Sequence, residues 1–204
     1  MRRLVSRSES DVSLAFQVRK AVLTVPNKRY RILAGFSGNP MEVWRVPSLA
    51  AVQGQKVLVD TADARWTIGG TTFNLIEGFN RLSSEIDCRG LITVSATSDP
   101  ARDMLAQITT ERGYDCRLFP CRTATSRAVV IQEEDGTTTI LGRKPTYLNQ
   151  PLEEIREEVE RFSPDIVIAS GVVPDDVGLV NELFTSAKTK SATCVLTPRR
   201  ELIT

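Results

Sequence analysis

Asp165-Ile166-Val167-Ile168-Ala169-Ser170-Gly171 is a short apolar run closed by Ser-Gly, and what flanks it decides how the chain folds. Upstream, Leu152, Ile155, Val159 and Phe162 recur at intervals of 3, 4 and 3 residues, the stripe of an amphipathic helix stopped by Ser163-Pro164. Downstream, Pro174-Asp175-Asp176 opens a second helix with Val180, Leu183, Phe184 and Ala187 on one face, and Thr193–Leu196 reads as a further strand. A brief, uninterrupted apolar strand between helices is buried on both faces, the mark of a parallel sheet covered by helices.

Working toward the N-terminus, Arg31–Phe36 and Leu91–Val94 are two more such strands. Leu75, Ile76, Phe79 and Leu82 give residues 71–82 helical period, directly behind Gly69-Gly70. Asp99-Pro100 pairs an N-cap residue with proline at the first helical position; Met104, Leu105 and Ile108 line the face that follows, and Gly113 closes it. Strands alternating with helices predict an α/β fold with a mostly parallel sheet and right-handed crossovers. Two β-rich stretches do not fit that scheme. Residues 43–68 contain Val57-Leu58-Val59 and Arg65-Trp66-Thr67-Ile68, broken by Pro47 and Gly54. In 126–141, Ala128–Gln132 and Thr137–Leu141 flank the turn signal Glu133-Glu134-Asp135-Gly136. Together they predict a small antiparallel β lobe at one edge. Ligands of open α/β sheets sit beyond the carboxyl ends of the strands, so the loops after Phe36, after Val94 and at Ser170-Gly171 mark the candidate site.

Composition narrows the chemistry. The chain has 204 residues, enough for one sizeable core, with a formal charge of +1 that gives no reason to expect a nucleic-acid partner. No apolar run reaches the ~18–20 residues that span a bilayer. The absence of histidine excludes His-based triads, bases and metal ligands from this sequence. Residues 1–31 carry eight basic and two acidic groups. Residues 1–29 therefore read as a basic, disordered extension, with organelle targeting as the alternative. No secretory pattern is present, which points to the cytoplasm. Cys88, Cys116, Cys121 and Cys194 lack paired metal-site spacing and read as buried or idle thiols. The glutamates of 153–160 read as a solvated helix face, and Asp99, Asp175 and Asp176 as helix caps.

The most informative local feature is Gly69-Gly70-Thr71-Thr72-Phe73-Asn74. Paired glycines let backbone approach a ligand, and the following helix start presents unpaired amides with partial positive charge. Asn74 in the first turn offers both a donor and an acceptor, which suits neutral hydroxyls. The stretch is neither a P-loop nor a dinucleotide fingerprint.

A β lobe followed by Gly-Gly-x-x-x-Asn resembles the ribokinase-like, PfkB-type carbohydrate kinases. So do Gly113-Tyr114-Asp115 leading to Thr125, the hairpin at Asp135-Gly136 and the Asp165–Gly171 strand, all in the expected order. The resemblance covers roughly residues 30–200. It implies that 30–204 is a partial ribokinase-like α/β domain whose β lobe, within 43–68 and 126–141, is a lid over the sugar. It also implies that Gly69, Gly70 and Asn74 contact sugar hydroxyls, with Asn39 a further candidate in Gly35–Met41. The family usually has Asn-x-Asp after the first strand; here Asn39 has no matching Asp. Val195–Arg200 resembles the family's Asp-x-Asn-x-Arg stretch with Thr197 in place of Asp, and the late Gly-Ala-Gly-Asp motif that supplies base and anion hole does not occur. The expectation is a truncated chain: the sugar-binding portion of an enzyme that transfers the γ-phosphate of ATP to a sugar hydroxyl, inactive alone. ATP and Mg²⁺ would bind through residues outside this sequence. Arg127 and Arg143 are the polar groups to weigh for a sugar phosphate or nucleoside acceptor, and a homodimer through the β lobe is implied by the same resemblance. The alternative is a degenerate, non-catalytic relative that binds a sugar or a protein partner.

Overall fold

The computed structural model describes residues 29–46, 65–143 and 145–198. Along the chain run β1 (Tyr30–Phe36), β2 (Asn39–Val46), β3 (Arg65–Gly69), α1 (Thr71–Leu82), β4 (Ile86–Ser95), α2 (Pro100–Glu111) and β5 (Cys116–Arg122). There follow β6 (Arg127–Glu133), β7 (Thr138–Arg143), α3 (Leu152–Phe162), β8 (Ile166–Val172), a 3₁₀ turn at Pro174–Asp176, α4 (Val177–Thr189) and β9 (Thr193–Pro198).

Five strands form one sheet in the order β5-β4-β1-β8-β9, every pair parallel. The apolar runs sit in its middle because their side chains feed two cores. Ile32, Ala34, Ile166 and Ile168 face one, with Phe73, Ile76 and Phe79 of α1 and Leu105 of α2. Leu33, Phe36, Val167 and Ala169 face the other, with Ile155 and Val159 of α3 and Leu179 and Leu183 of α4. Each of the larger side chains, the two alanines aside, contributes about 1.5–3 kcal/mol on going from full exposure to full burial, before entropy is counted. Asp99 caps α2 as its sequence position requires: Oδ1 accepts from the Arg102 amide at 2.7 Å and Oδ2 from the Thr125 amide at 2.8 Å. The second bond ties the start of α2 to the approach to β6.

The small sheet has the order β3-β2-β6-β7. It is mixed rather than antiparallel: β2 pairs antiparallel with β3, but parallel with β6 from Met41–Ala128 to Val46–Glu133. The chain leaves the lobe, builds four elements of the main body and re-enters, so a hairpin does not join β2 to β6. β6 and β7 form the hairpin read from Asp135-Gly136, with Gly136 at φ 92°. β2 begins at Asn39, inside the stretch read as a site loop. Val57-Leu58-Val59 and the basic extension lie outside the described residues, apart from Arg29.

One expectation fails on α3. Glu158 is 3% exposed, not solvated. It stands beside Val159 on the buried flank of the stripe, where Arg89 donates to it at 2.6 Å and Arg161 pairs with it from the helix itself. Arg31 and Arg89 also lie over the Phe162 ring, at 4.6 and 4.7 Å from its centroid. A helical period marks Glu158 as near the core but cannot show the arginine that reaches in from β4.

All four cysteines are free. Burial pushes the Cys121 thiol to about 11 and, with Asp115 nearby, the Cys116 thiol to about 12. Raised in this way, both thiols stay protonated at neutral pH. Among the described residues no helix is long and apolar enough to cross a membrane.

Candidate functional site

A cleft of about 560 Å³ lies between the carboxyl edge of the five-stranded sheet and the inner side of the small one. Its floor is built by close backbone contact. Gly70, at φ 96°, brings the start of α1 against the turn after β1; a Cβ there would lie 2.4 Å from the Ser37 carbonyl oxygen. Gly171, at φ 66°, brings the end of β8 to the same place, where a Cβ would meet Thr71 Oγ1 at 2.9 Å and Ser37 at 3.2 Å. Both positions need a residue without a side chain, for space and for backbone angle.

The residues singled out in the sequence separate here. Gly70 and Asn39 line the cleft. Gly69 ends β3, buried, its Cα position filled over by the Met41 side chain. Asn74 is exposed on α1 and does not belong to the lining. One amide at the start of α1 is taken: that of Thr72 donates to the Ser37 carbonyl at 3.0 Å. Arg127 and Arg143 both line the cleft from the small sheet.

Sequence reasoning missed the group beneath them. Arg122, at the end of β5, is 3% exposed and uses its whole guanidinium. Nε donates to Thr93 Oγ1 and Nη1 to the Pro145 carbonyl, each at 2.6 Å, while Nη2 donates to the Tyr147 hydroxyl and, at 3.1 Å, to Asp176 Oδ1. Tyr147 donates to the same carboxylate oxygen at 2.9 Å and its ring lies 3.8 Å from the guanidinium carbon. Asp176 is a cap too, accepting from the Val173 amide at 3.2 Å, so its predicted role holds but is half of what it does. Burial, then the Asp176 charge, pushes the Tyr147 phenol well above its ordinary range, which keeps it a proton donor. The group ties β5, β8 and the segment returning from β7 into one base for the cleft. The available signal was an arginine closing the apolar run Leu118–Cys121 at the carboxyl edge.

The cleft is therefore lined by Ser37, Asn39 and Ser126, with neutral hydrogen-bonding side chains, by a neutralised Arg122–Asp176 pair, and by Arg127 and Arg143 at the ends of their strands. That inventory suits a small polar molecule. It does not fit a metal: among the described residues no three His, Cys, Asp or Glu side chains stand close enough to hold one.

Among solved structures the chain is similar to phosphofructokinase-2 from Escherichia coli in complex with fructose-6-phosphate. That match has a TM-score of 0.67 at 10% identity and covers 84% of this chain and 55% of that one. It is similar also to the microbiome-derived acarbose kinase Mak1, with a TM-score of 0.66 at 15% identity, over 83% of this chain and 53% of that one. A carbohydrate kinase from Agrobacterium tumefaciens matches with a TM-score of 0.59 at 15% identity, over 82% and 53%. No protein-family model and no curated protein matches the chain. The fold is that of the ribokinase-like carbohydrate kinases, as the residue pattern implied. The chain spans about half the length of the solved structures it matches.

Proposed function

We propose that the chain is the sugar-recognising portion of an ATP-dependent carbohydrate kinase, and that the cleft holds the sugar whose hydroxyl accepts the γ-phosphate. One observation carries the reading: the cleft lies between the carboxyl edge of the parallel sheet and a β lobe, in a fold shared with carbohydrate kinases. Asn39, Gly70, Ser37 and Ser126 suit hydroxyls, Asn39 by offering donor and acceptor together. Gly69 acts by letting Met41 close over β3. ATP and Mg²⁺ would be held by residues outside this sequence. Among the described residues no three His, Cys, Asp or Glu side chains stand close enough to hold a metal ion, and no catalytic step is assigned to these residues. The exposed Leu141 of β7, which alternates with the cleft-lining Ile140, suits a homodimer through the outer face of the lobe.

A second reading, sugar binding without transfer, is favoured by one feature. The sole carboxylate among the described lining residues, Asp176, is engaged by Arg122, Tyr147 and the Val173 amide, and is not placed as a base. Isothermal titration with a panel of pentoses and hexoses, followed by a phosphoryl-transfer assay with ATP, tests both. Binding that weakens several-fold in Asn39→Ala, the scale of one lost neutral hydrogen bond, supports the sugar site. No binding by any sugar contradicts it. Transfer by the 204-residue chain itself would exclude the non-catalytic reading.

A further inference from the structure

A second cavity, of about 580 Å³, opens at the amino end of the five-stranded sheet, away from the cleft, lined chiefly by arginines, aspartates and Phe162. The pleat gathers three of the arginines on one face. Arg31 alternates with Leu33, Arg89 with Leu91, and Arg117, opposite Leu91 in the register, with Phe119. Those apolar residues belong to the core under α3, so the arginines stand on the same side. Two of them are fixed there by Phe162, the last residue of α3: the guanidinium carbons of Arg31 and Arg89 lie 4.6 and 4.7 Å from its ring centroid. Stacking on a ring face leaves the N–H edges of a guanidinium open to an acceptor.

The carboxylates nearby are already engaged. The buried Glu158 accepts from Arg89 and pairs with Arg161, Asp115 holds Arg89 at 2.9 Å, and Asp87 holds Arg29 at 2.6 Å. Asp165 accepts from the Arg31 amide at 3.0 Å. Among the described residues, neither Arg31 nor Arg117 has a carboxylate partner for its side chain. The lining thus sets Arg31, Arg89, Arg117 and Arg161 against Asp87 and Asp115, and counting Arg29 with Glu158 leaves the excess unchanged. The carbonyl end of α3 offsets roughly half a charge, so about +1.5 remains. One cation is enough to answer a helix end; four converge on this one.

We infer that the amino-end cavity is a binding site for a phosphate dianion, held by Arg31 and Arg89 at the Phe162 ring with Arg117 adding charge at the rim. Guanidinium forks match the oxygens of a tetrahedral phosphate, and a dianion answers an excess of this size better than a single carboxylate. Free phosphate and the phosphomonoester of a small metabolite present the same group. The inference is independent of the sugar-site reading, because the cavity lies at the other end of the sheet.

A backbone amide chemical-shift titration of the ¹⁵N-labelled whole chain with inorganic phosphate, and separately with glycerol 3-phosphate, tests it, ionic strength being held constant with sodium chloride. We expect saturable shifts at Arg31, Arg89 and Phe162, with half-saturation on the order of 1 mM, the scale of two or three charge-assisted hydrogen bonds. Arg31→Gln should weaken binding about tenfold or more. Arg117→Gln should weaken it about two- to fivefold, as loss of a rim charge does. Arg117 is exposed and without a carboxylate partner, so that variant keeps its fold even if Arg31→Gln does not. Tighter binding of glycerol 3-phosphate than of phosphate supports the inference with a phosphorylated metabolite as the ligand; the reverse order supports it with the free anion. Shifts that do not saturate, shifts reproduced by sodium chloride alone, shifts centred on Ser37 and Gly70, or full affinity in Arg117→Gln overturn it.

Discussion

The two ends of the five-stranded sheet set their arginines differently. At the amino end, Arg89 is held by Asp115 at 2.9 Å and Glu158 at 2.6 Å, Arg161 by Glu158, and Arg29 by Asp87 at 2.6 Å, while Arg31 and Arg89 lie over the Phe162 ring. At the carboxyl end, Arg122 is matched to Asp176, but Arg127 and Arg143 on the facing lobe have no carboxylate among the described residues. Paired arginines close a structure. Unpaired ones facing each other across a strand pair weaken it slightly. The carboxyl end is also the one where the parallel fold gathers its loops.

The comparison is broken most severely at Arg122. Arg122→Met leaves Asp176 buried without its cation, and we expect about 3–5 kcal/mol of lost stability in chemical denaturation. A loss under ~1 kcal/mol would make the pair a surface contact in effect. Gly70→Ala comes next, because the new Cβ lies in the Ser37 carbonyl at a backbone angle alanine disfavours. A cost of about 1–3 kcal/mol, together with lost sugar binding, is expected. Glu158→Gln sharpens the amino end: Arg89 keeps Asp115 but loses its buried partner, for about 1–3 kcal/mol, with sugar binding untouched.

How much of this could be read beforehand follows the same division. The buried strands were legible because Ile166–Ala169 and Arg31–Phe36 must be apolar on both faces, and only one architecture buries both. The Asp99-Pro100 cap and the Asp135-Gly136 hairpin were legible because each is set by its own backbone. Glu158, Arg122 and Tyr147 were not. Their roles depend on partners 69, 54 and 29 residues away in sequence, and local period carries no trace of such a pairing. At the site, the sequence picked out Gly70 and Asn39, which line the cleft. It also picked out Asn74, which the register of α1 turns outward, because first-turn position alone does not say which way the helix presents that residue.

Two smaller effects complete the series. The Asp99 carboxyl is held below its ordinary range: burial opposes this, but the Thr125 and Arg102 amides outweigh it. A depressed folded value means its contribution is present above the unfolded pKa and lost as pH falls through the folded one. Asp99→Ala should therefore cost about 1 kcal/mol at neutral pH and progressively less in acid below roughly pH 4, measured by denaturation at several pH values. A cost that stays constant into acid would assign the residue a packing role instead. Smallest is the stability change in R127Q/R143Q, expected within ~0.5 kcal/mol of zero and favourable if like-charge repulsion is relieved.

The central claim is that the carboxyl-edge cleft, and not the arginine cluster at the opposite end, receives a sugar. A backbone amide chemical-shift titration of the ¹⁵N-labelled chain with the panel of pentoses and hexoses tests it most directly. The account predicts shifts concentrated at Ser37–Asn39, Gly70, Arg127, Arg143 and Gly171. Shifts centred on Arg31, Arg89 and Phe162, or none with any of the panel, would contradict it.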